Sequence, residues 1–218
     1  MAIIAENKGG SDFEPVTAGT YAARCYSMVH IGTTTEEFEG KAKTLNKIRL
    51  SWELPTELKE FKEGEGEKPF FVSKEFTLSM HEKSSLRKYL EAWRGKAFTE
   101  DEAKSFDVTK LLGKECLVSI IHEVKKEKTY AKIASVSTLP KGMVCPPQIN
   151  ESFEFNYDPF DQEKFLSLPE WLRKKMEATP EYKKAIGFTT EQQDQMQWAV
   201  HLINQKIAAE EDDQNLPF

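Results

Sequence analysis

Cationic and aromatic side chains sit two residues apart at two places, Arg24 with Tyr26 and Tyr130 with Lys132; Lys47 and Arg49 make a purely cationic pair at the same spacing, and Phe71 and the cluster Lys125, Lys126 and Lys128 add to both kinds. Lys and Arg supply positive charge for phosphate oxygens. Flat rings supply a surface for unstacked bases, each contributing about 1–3 kcal/mol. The chemistry these residues imply is recognition of an anionic, single-stranded polymer rather than bond making.

Catalysis would need a combination that the chain lacks. His122-Glu123 opens like a zinc-binding H-E-x-x-H helix but continues Val-Lys-Lys inside a strand pattern, so the second His is missing, and His81-Glu82 has no third partner. Neither G-x-x-x-x-G-K-[ST] nor G-x-S-x-G occurs. Cys25, Cys116 and Cys145 are odd in number and form no C-x-x-C pair, which argues against a disulfide framework and a thiolate zinc site. The expectation is a non-enzyme with no cofactor and no metal, holding buried free thiols in a reducing compartment.

Period-2 patterning predicts the strands that must carry the cations and rings. In the first, Tyr21, Ala23, Cys25, Val29 and Ile31 share one face while Arg24, Tyr26, Met28 and His30 share the other. Gly32 through Thr44 reads as a long mobile loop. A second strand follows from Leu45 to Leu54, with Ile48, Leu50, Trp52 and Leu54 inward, Lys47, Arg49 and Ser51 outward, and Pro55 as its stop. Trp52 is therefore a core residue first. After a charged loop over Glu57–Lys68, a third strand from Phe70 to about Met80 turns Phe70, Val72, Phe76, Leu78 and Met80 one way and Phe71, Ser73, Glu75 and Thr77 the other; Lys74 interrupts the inward set and suggests a bulge.

The period then becomes helical, with Leu86, Tyr89, Leu90 and Trp93 on one stripe closed by Gly95, and Thr99 with Glu102 matches a capping box. Strand four, Glu115 to Val124, and strand five, Thr129 to Val136, are joined by the basic tip Lys125-Lys126-Glu127-Lys128. On strand five, Tyr130 and Lys132 share a face with Ala134 and Val136. The order β-β-β-α-β-β is that of a five-stranded OB barrel. The fold expected is thus mainly β with helices: an OB-fold barrel, a C-terminal helical segment and an acidic tail.

Four parts follow: a flexible arm over 1–18, the OB-fold nucleic-acid-binding domain over 19–141, a linker and helical extension over 142–209, and an acidic interaction tail over 210–218. The extension holds helical patterns over Gln162–Ala178, interrupted by Pro169, and over Thr190–Ala209. Its apolar stripes are expected to pack on the barrel, with self-association as their other use. Of the 218 residues, the first 141 carry 23 Lys and Arg against 22 Asp and Glu, and the remainder 7 against 14, so an anion-binding site belongs in the first part. No secretory or membrane-spanning run is seen, and a cytoplasmic protein is expected.

The end of the chain, Asp212-Asp213-Gln214-Asn215-Leu216-Pro217-Phe218, resembles the acidic tip of bacterial single-stranded-DNA-binding proteins. The resemblance implies that Leu216, Pro217 and Phe218 with its carboxylate fill an apolar and basic pocket on replication or repair proteins, with Asp212 and Asp213 facing basic residues around it. The body, from about Gly19 to Gly187, resembles bacteriophage single-stranded-DNA-binding proteins with an OB core, through Phe76-Thr-Leu-Ser-Met-His-Glu-Lys-Ser-Ser-Leu-Arg and Leu112-Gly113-Lys114. This implies sequence-tolerant binding and protection of single-stranded DNA in phage replication, recombination or repair, inside the bacterial host cell. The expected DNA contacts are Arg24, Tyr26, Lys47, Arg49, Phe71, Lys125, Lys126, Lys128, Tyr130 and Lys132. A protein-interaction adaptor on the same barrel is the rival reading, favoured by the near-balanced charge of 1–141, and RNA is a third ligand compatible with the same chemistry.

Overall fold

The computed structural model describes residues 14–38, 40–125 and 128–187. The expected 190–209 helix, the acidic tip and Lys126 lie outside the described residues. The strands are β1 (Gly19–Phe38), β2 (Lys41–Glu60), β3 (Glu67–Thr77), β4 (Glu115–Lys125), β5 (Lys128–Ser137) and β6 (Phe153–Phe155). The helices are α1 (Ser85–Arg94), α2 (Glu100–Lys104), α3 (Gln162–Ser167), α4 (Glu170–Glu177) and α5 (Pro180–Ala185), with a 3-10 turn over Val108–Leu111. The fold is mainly β: an antiparallel sheet ordered β3-β2-β1-β4-β5, with β6 paired to β1. Among the described residues, no helix is long and apolar enough to cross a membrane.

The first two strands are longer than the pattern predicts. The expected mobile loop over Gly32–Thr44 is largely strand, because the β-branched Thr33, Thr34 and Thr35 suit extended backbone. Gly40, at φ 73°, lies in the short connection between β1 and β2. Pro55 does not stop β2, which continues to Glu60. Proline removes one ladder donor, but its fixed φ is compatible with strand backbone.

The chain forms two compact units. One holds the described residues up to Met28 with Arg49–Glu154; the other holds Val29–Ile48 with the described residues from Phe155 on. In the first, Ala23, Cys25, Leu50, Trp52, Leu54, Val72 and Phe76 are buried as the alternation predicts, and Val118 and Ile120 of β4 are buried with them. Met28, Ser51 and Glu53 are buried as well. Met28 and Ser51 were expected on the outward face, which is thus covered in part.

In α1, Leu86, Leu90 and Trp93 are buried, and Gly95 closes the helix in the left-handed region at φ 65°. The helix packs against both β3 and β5, and these two end strands of the sheet path also approach each other. Trp52 and Trp93 meet with ring centroids 5.7 Å apart. The capping box forms as predicted: Glu102 N–H donates to Thr99 Oγ1 at 3.2 Å and Thr99 N–H to the Glu102 carboxylate at 2.9 Å.

In the second unit, Phe155, Phe165, Leu172 and Met176 are buried, and the rings of Phe155, Tyr157, Phe160, Phe165 and Tyr182 form one cluster. Pro169 splits the predicted helix into α3 and α4, since the residue before proline is pushed out of the helical region; Leu168 has ψ 150°. Gly32 takes φ 95°, in the left-handed region that favours glycine, and a Cβ there would meet Glu181 Oε2 at 2.8 Å and Thr179 Oγ1 at 2.9 Å.

Candidate nucleic-acid interface

The first unit concentrates cations on one face of the β4–β5 hairpin. Its register sets Ile121 opposite Lys132, Glu123 opposite Tyr130 and Lys125 opposite Lys128. Side chains alternate, so Ile121, Glu123 and Lys125 share a face with Lys132, Tyr130 and Lys128: three cations, one anion and one ring. Like charges directly opposite in an antiparallel pair are destabilising, so Lys125 facing Lys128 is an arrangement that an anionic partner would relieve. Tyr130 is half exposed.

Closer to the body of the sheet, the ladder shifts between Ser119 and Ile120: Ser119 faces Ser135 and Ile120 faces Ile133. Ala134 is the extra residue, a β-bulge that turns the strand over. Ile133 and Val136, three apart, are therefore both buried. The expectation that Val136 shares the face of Tyr130 and Lys132 is corrected by this bulge.

Between β3 and the hairpin lies an open groove of about 430 Å³, lined by Ser73, Lys74, Glu75, Glu123, Lys125 and Tyr130 to Ile133. Lys74, expected to mark a bulge, turns its ammonium over the Tyr89 ring at 4.9 Å and the Phe76 ring at 5.9 Å. Glu123 Oε2 lies 3.3 Å from Lys125 Nζ and 3.4 Å from Lys132 Nζ. The hydrogen bond from Lys125, helped by the charge of Lys132, holds the Glu123 carboxyl below its ordinary pKa.

The neighbouring strands present further expected contacts. Phe71 is 54% exposed, and its ring meets Tyr26 edge-on at 6.1 Å. Burial, reinforced by the Glu53 carboxylate, pushes the Tyr26 hydroxyl up to about 12. Arg49 lies 3.7 Å from Glu75, and Ser73 donates to Ser51 across the same strand pair at 2.8 Å. Burial lowers the pKa of Arg49, an effect that Glu75 opposes.

Two expected residues serve other roles. The Arg24 guanidinium donates to the carbonyls of Gly113, Cys145 and Pro146 at 2.7–3.0 Å and pairs with Glu115 at 3.0 Å. Its donors tie the chain around Cys145 to the start of β4, and Arg24 does not line the groove. The fully buried Glu53 fastens the same connection further on, accepting from Ile149 N–H, Asn150 N–H and Asn150 Nδ2 at 2.7–2.8 Å. Lys47 belongs to the second unit and pairs with Glu36.

Lys74, Ser73, Glu75 and Glu123 were not expected at a site. Lys74 carried a signal, a cation in an otherwise apolar alternating set; the two acids carried none, because solvated carboxylates are common on any strand. Among the described residues, no group of three or more His, Cys, Asp or Glu could hold a metal ion. No protein-family model matches the chain, and no curated protein sequence matches it.

Proposed function

We propose that this chain binds single-stranded DNA without strong sequence preference, through an OB-type barrel in which β3 and β5 close on each other beside α1. The strand runs along the β3–hairpin groove. Lys74, Lys125, Lys128 and Lys132 meet phosphates, and Phe71 and Tyr130 stack on bases. The observation that carries this reading is the cation-rich hairpin face, with Lys125 directly opposite Lys128 and Tyr130 between the lysines. Two lysines directly opposite each other repel, and a bound anion would relieve that repulsion. The acidic tip ending in Leu216, Pro217 and Phe218 recruits replication or repair proteins, and the setting is phage replication, recombination or repair.

The test is fluorescence-anisotropy binding of labelled oligo-dT, matched duplex and matched RNA across a salt series, with the full chain and with a version ending at Ala209. The expected result is a preference for single strands, with affinity falling as salt rises by about 0.7 in log–log slope per phosphate neutralised, and unchanged or strengthened by truncation. Lack of single-strand preference at low salt in both versions would overturn the reading. The adaptor reading is favoured by Glu75 and Glu123, which bring carboxylates into the groove, and that negative result would leave it standing.

A further inference from the structure

Glu123 is the one acidic side chain on the hairpin face among the described residues, and both flanking lysines converge on it. Lys125 lies two residues along the same strand, and Lys132 is its diagonal neighbour across the ladder, since Glu123 is opposite Tyr130. A single oxygen, Oε2, sits between the two ammonium groups at 3.3 and 3.4 Å. Neither lysine is buried by this: their side chains remain 65% and 52% exposed, so both stay open to a second anion. A carboxylate oxygen between two ammonium groups makes the kind of charge-assisted contact that a phosphate oxygen also makes.

We propose that Glu123 is an internal phosphate mimic that lowers the affinity of the groove for nucleic acid and makes the bound strand easy to displace. This rests on the single-strand reading above. In the free protein the carboxylate neutralises part of the charge of Lys125 and Lys132 and holds them at the groove. A phosphate entering the site either shares the lysines with a like charge a few ångströms away or displaces the carboxylate into water. Both routes cost free energy that a charge-free side chain would not exact. Such a residue suits a protein that must coat a strand and then yield it, because affinity differences of this kind fall mainly on the dissociation rate.

The experiment is oligo-dT binding by the full-length chain, wild type against Glu123→Gln, across a salt series. Asp101→Asn, which removes the same charge from an α2 carboxylate paired with Lys104, is the control for net charge. The expected result is about two- to fivefold tighter binding for Glu123→Gln at low salt, the scale of one exposed ion pair. The salt slope should steepen by up to about 0.7, the dissociation rate should fall, and Asp101→Asn should stay at the wild-type value. In a Lys132→Gln background the gain from Glu123→Gln should shrink, since one of the two lysines it releases is gone. Glu123→Thr, a strand-favouring residue, serves as a second charge-free variant if the amide disturbs the hairpin.

Equal or weaker binding by both charge-free variants with an unchanged unfolding midpoint would overturn the proposal and leave the single-strand reading intact, as would an equal gain for Asp101→Asn. A wild-type chain that binds no oligo-dT at low salt would instead overturn the single-strand reading and this proposal with it.

Discussion

At the scale of single residues, exposure separates side chains that serve the fold from those that can serve a ligand. Phe71 and Tyr130 are about half exposed, so removing either ring takes little from the core. Phe71→Ala and Tyr130→Ala should each weaken oligo-dT binding by about 1–3 kcal/mol while moving the urea midpoint little. Glu53 is the opposite case, an acid inside the fold with three donors aimed at it. Glu53→Ala would leave the N–H groups of Ile149 and Asn150 without their acceptor and should destabilise the protein by about 2–4 kcal/mol, measured by urea unfolding. The sequence distinguishes Phe71 from its neighbour by alternation alone, but it does not distinguish Glu53 from the solvated acids around it. The partners of Glu53 lie 96 and 97 residues away in the chain.

At the scale of elements, local rules hold where the segment supplies its own partners. The Thr99 capping box is such a case, and it carries a pH dependence. The Arg94 guanidinium, with help from the Thr99 N–H, holds the Glu102 carboxyl down to about 2, against 4.5 ordinarily. A carboxyl depressed in the folded state contributes stability above its unfolded pKa and loses it as pH falls through the folded value. That contribution should therefore be complete above about pH 4.5 and fade towards pH 2. Glu102→Gln should flatten this part of the thermal midpoint against pH. The β5 bulge is the contrary case. Strict alternation places Ile133 and Val136 on opposite faces, and only the pairing with β4 reveals the extra residue. Deleting Ala134 should turn one of the two out of the core and cost about 1.5–3 kcal/mol.

At the scale of the whole molecule, burial governs the three thiols. Burial pushes the Cys25 thiol up to about 12 and raises Cys116 and Cys145 as well, and all three are buried. A thiol reagent at pH 8 should therefore label almost none of the three in the native protein and all three in denaturant. In the second unit, Gly32→Ala should destabilise by about 1–3 kcal/mol, because φ 95° and the close Thr179 and Glu181 oxygens leave no room for a methyl group; thermal unfolding would read the loss.

The sequence by itself determined that five strands form in the order found, the inward set Ala23, Cys25, Leu50, Trp52 and Leu54, the α1 stripe with its glycine stop, and the capping box. These follow from side-chain period and local hydrogen bonding, which nearby residues settle among themselves. Only the tertiary structure decided that Arg24 is spent on the carbonyls of Gly113, Cys145 and Pro146, that Glu53 is buried, that Val136 turns inward, and that Glu123 sits between two lysines. Each of these depends on a partner on another strand or a distant connection. Pairing register and long-range hydrogen bonds fix such partners, and the period of a single segment carries no record of them.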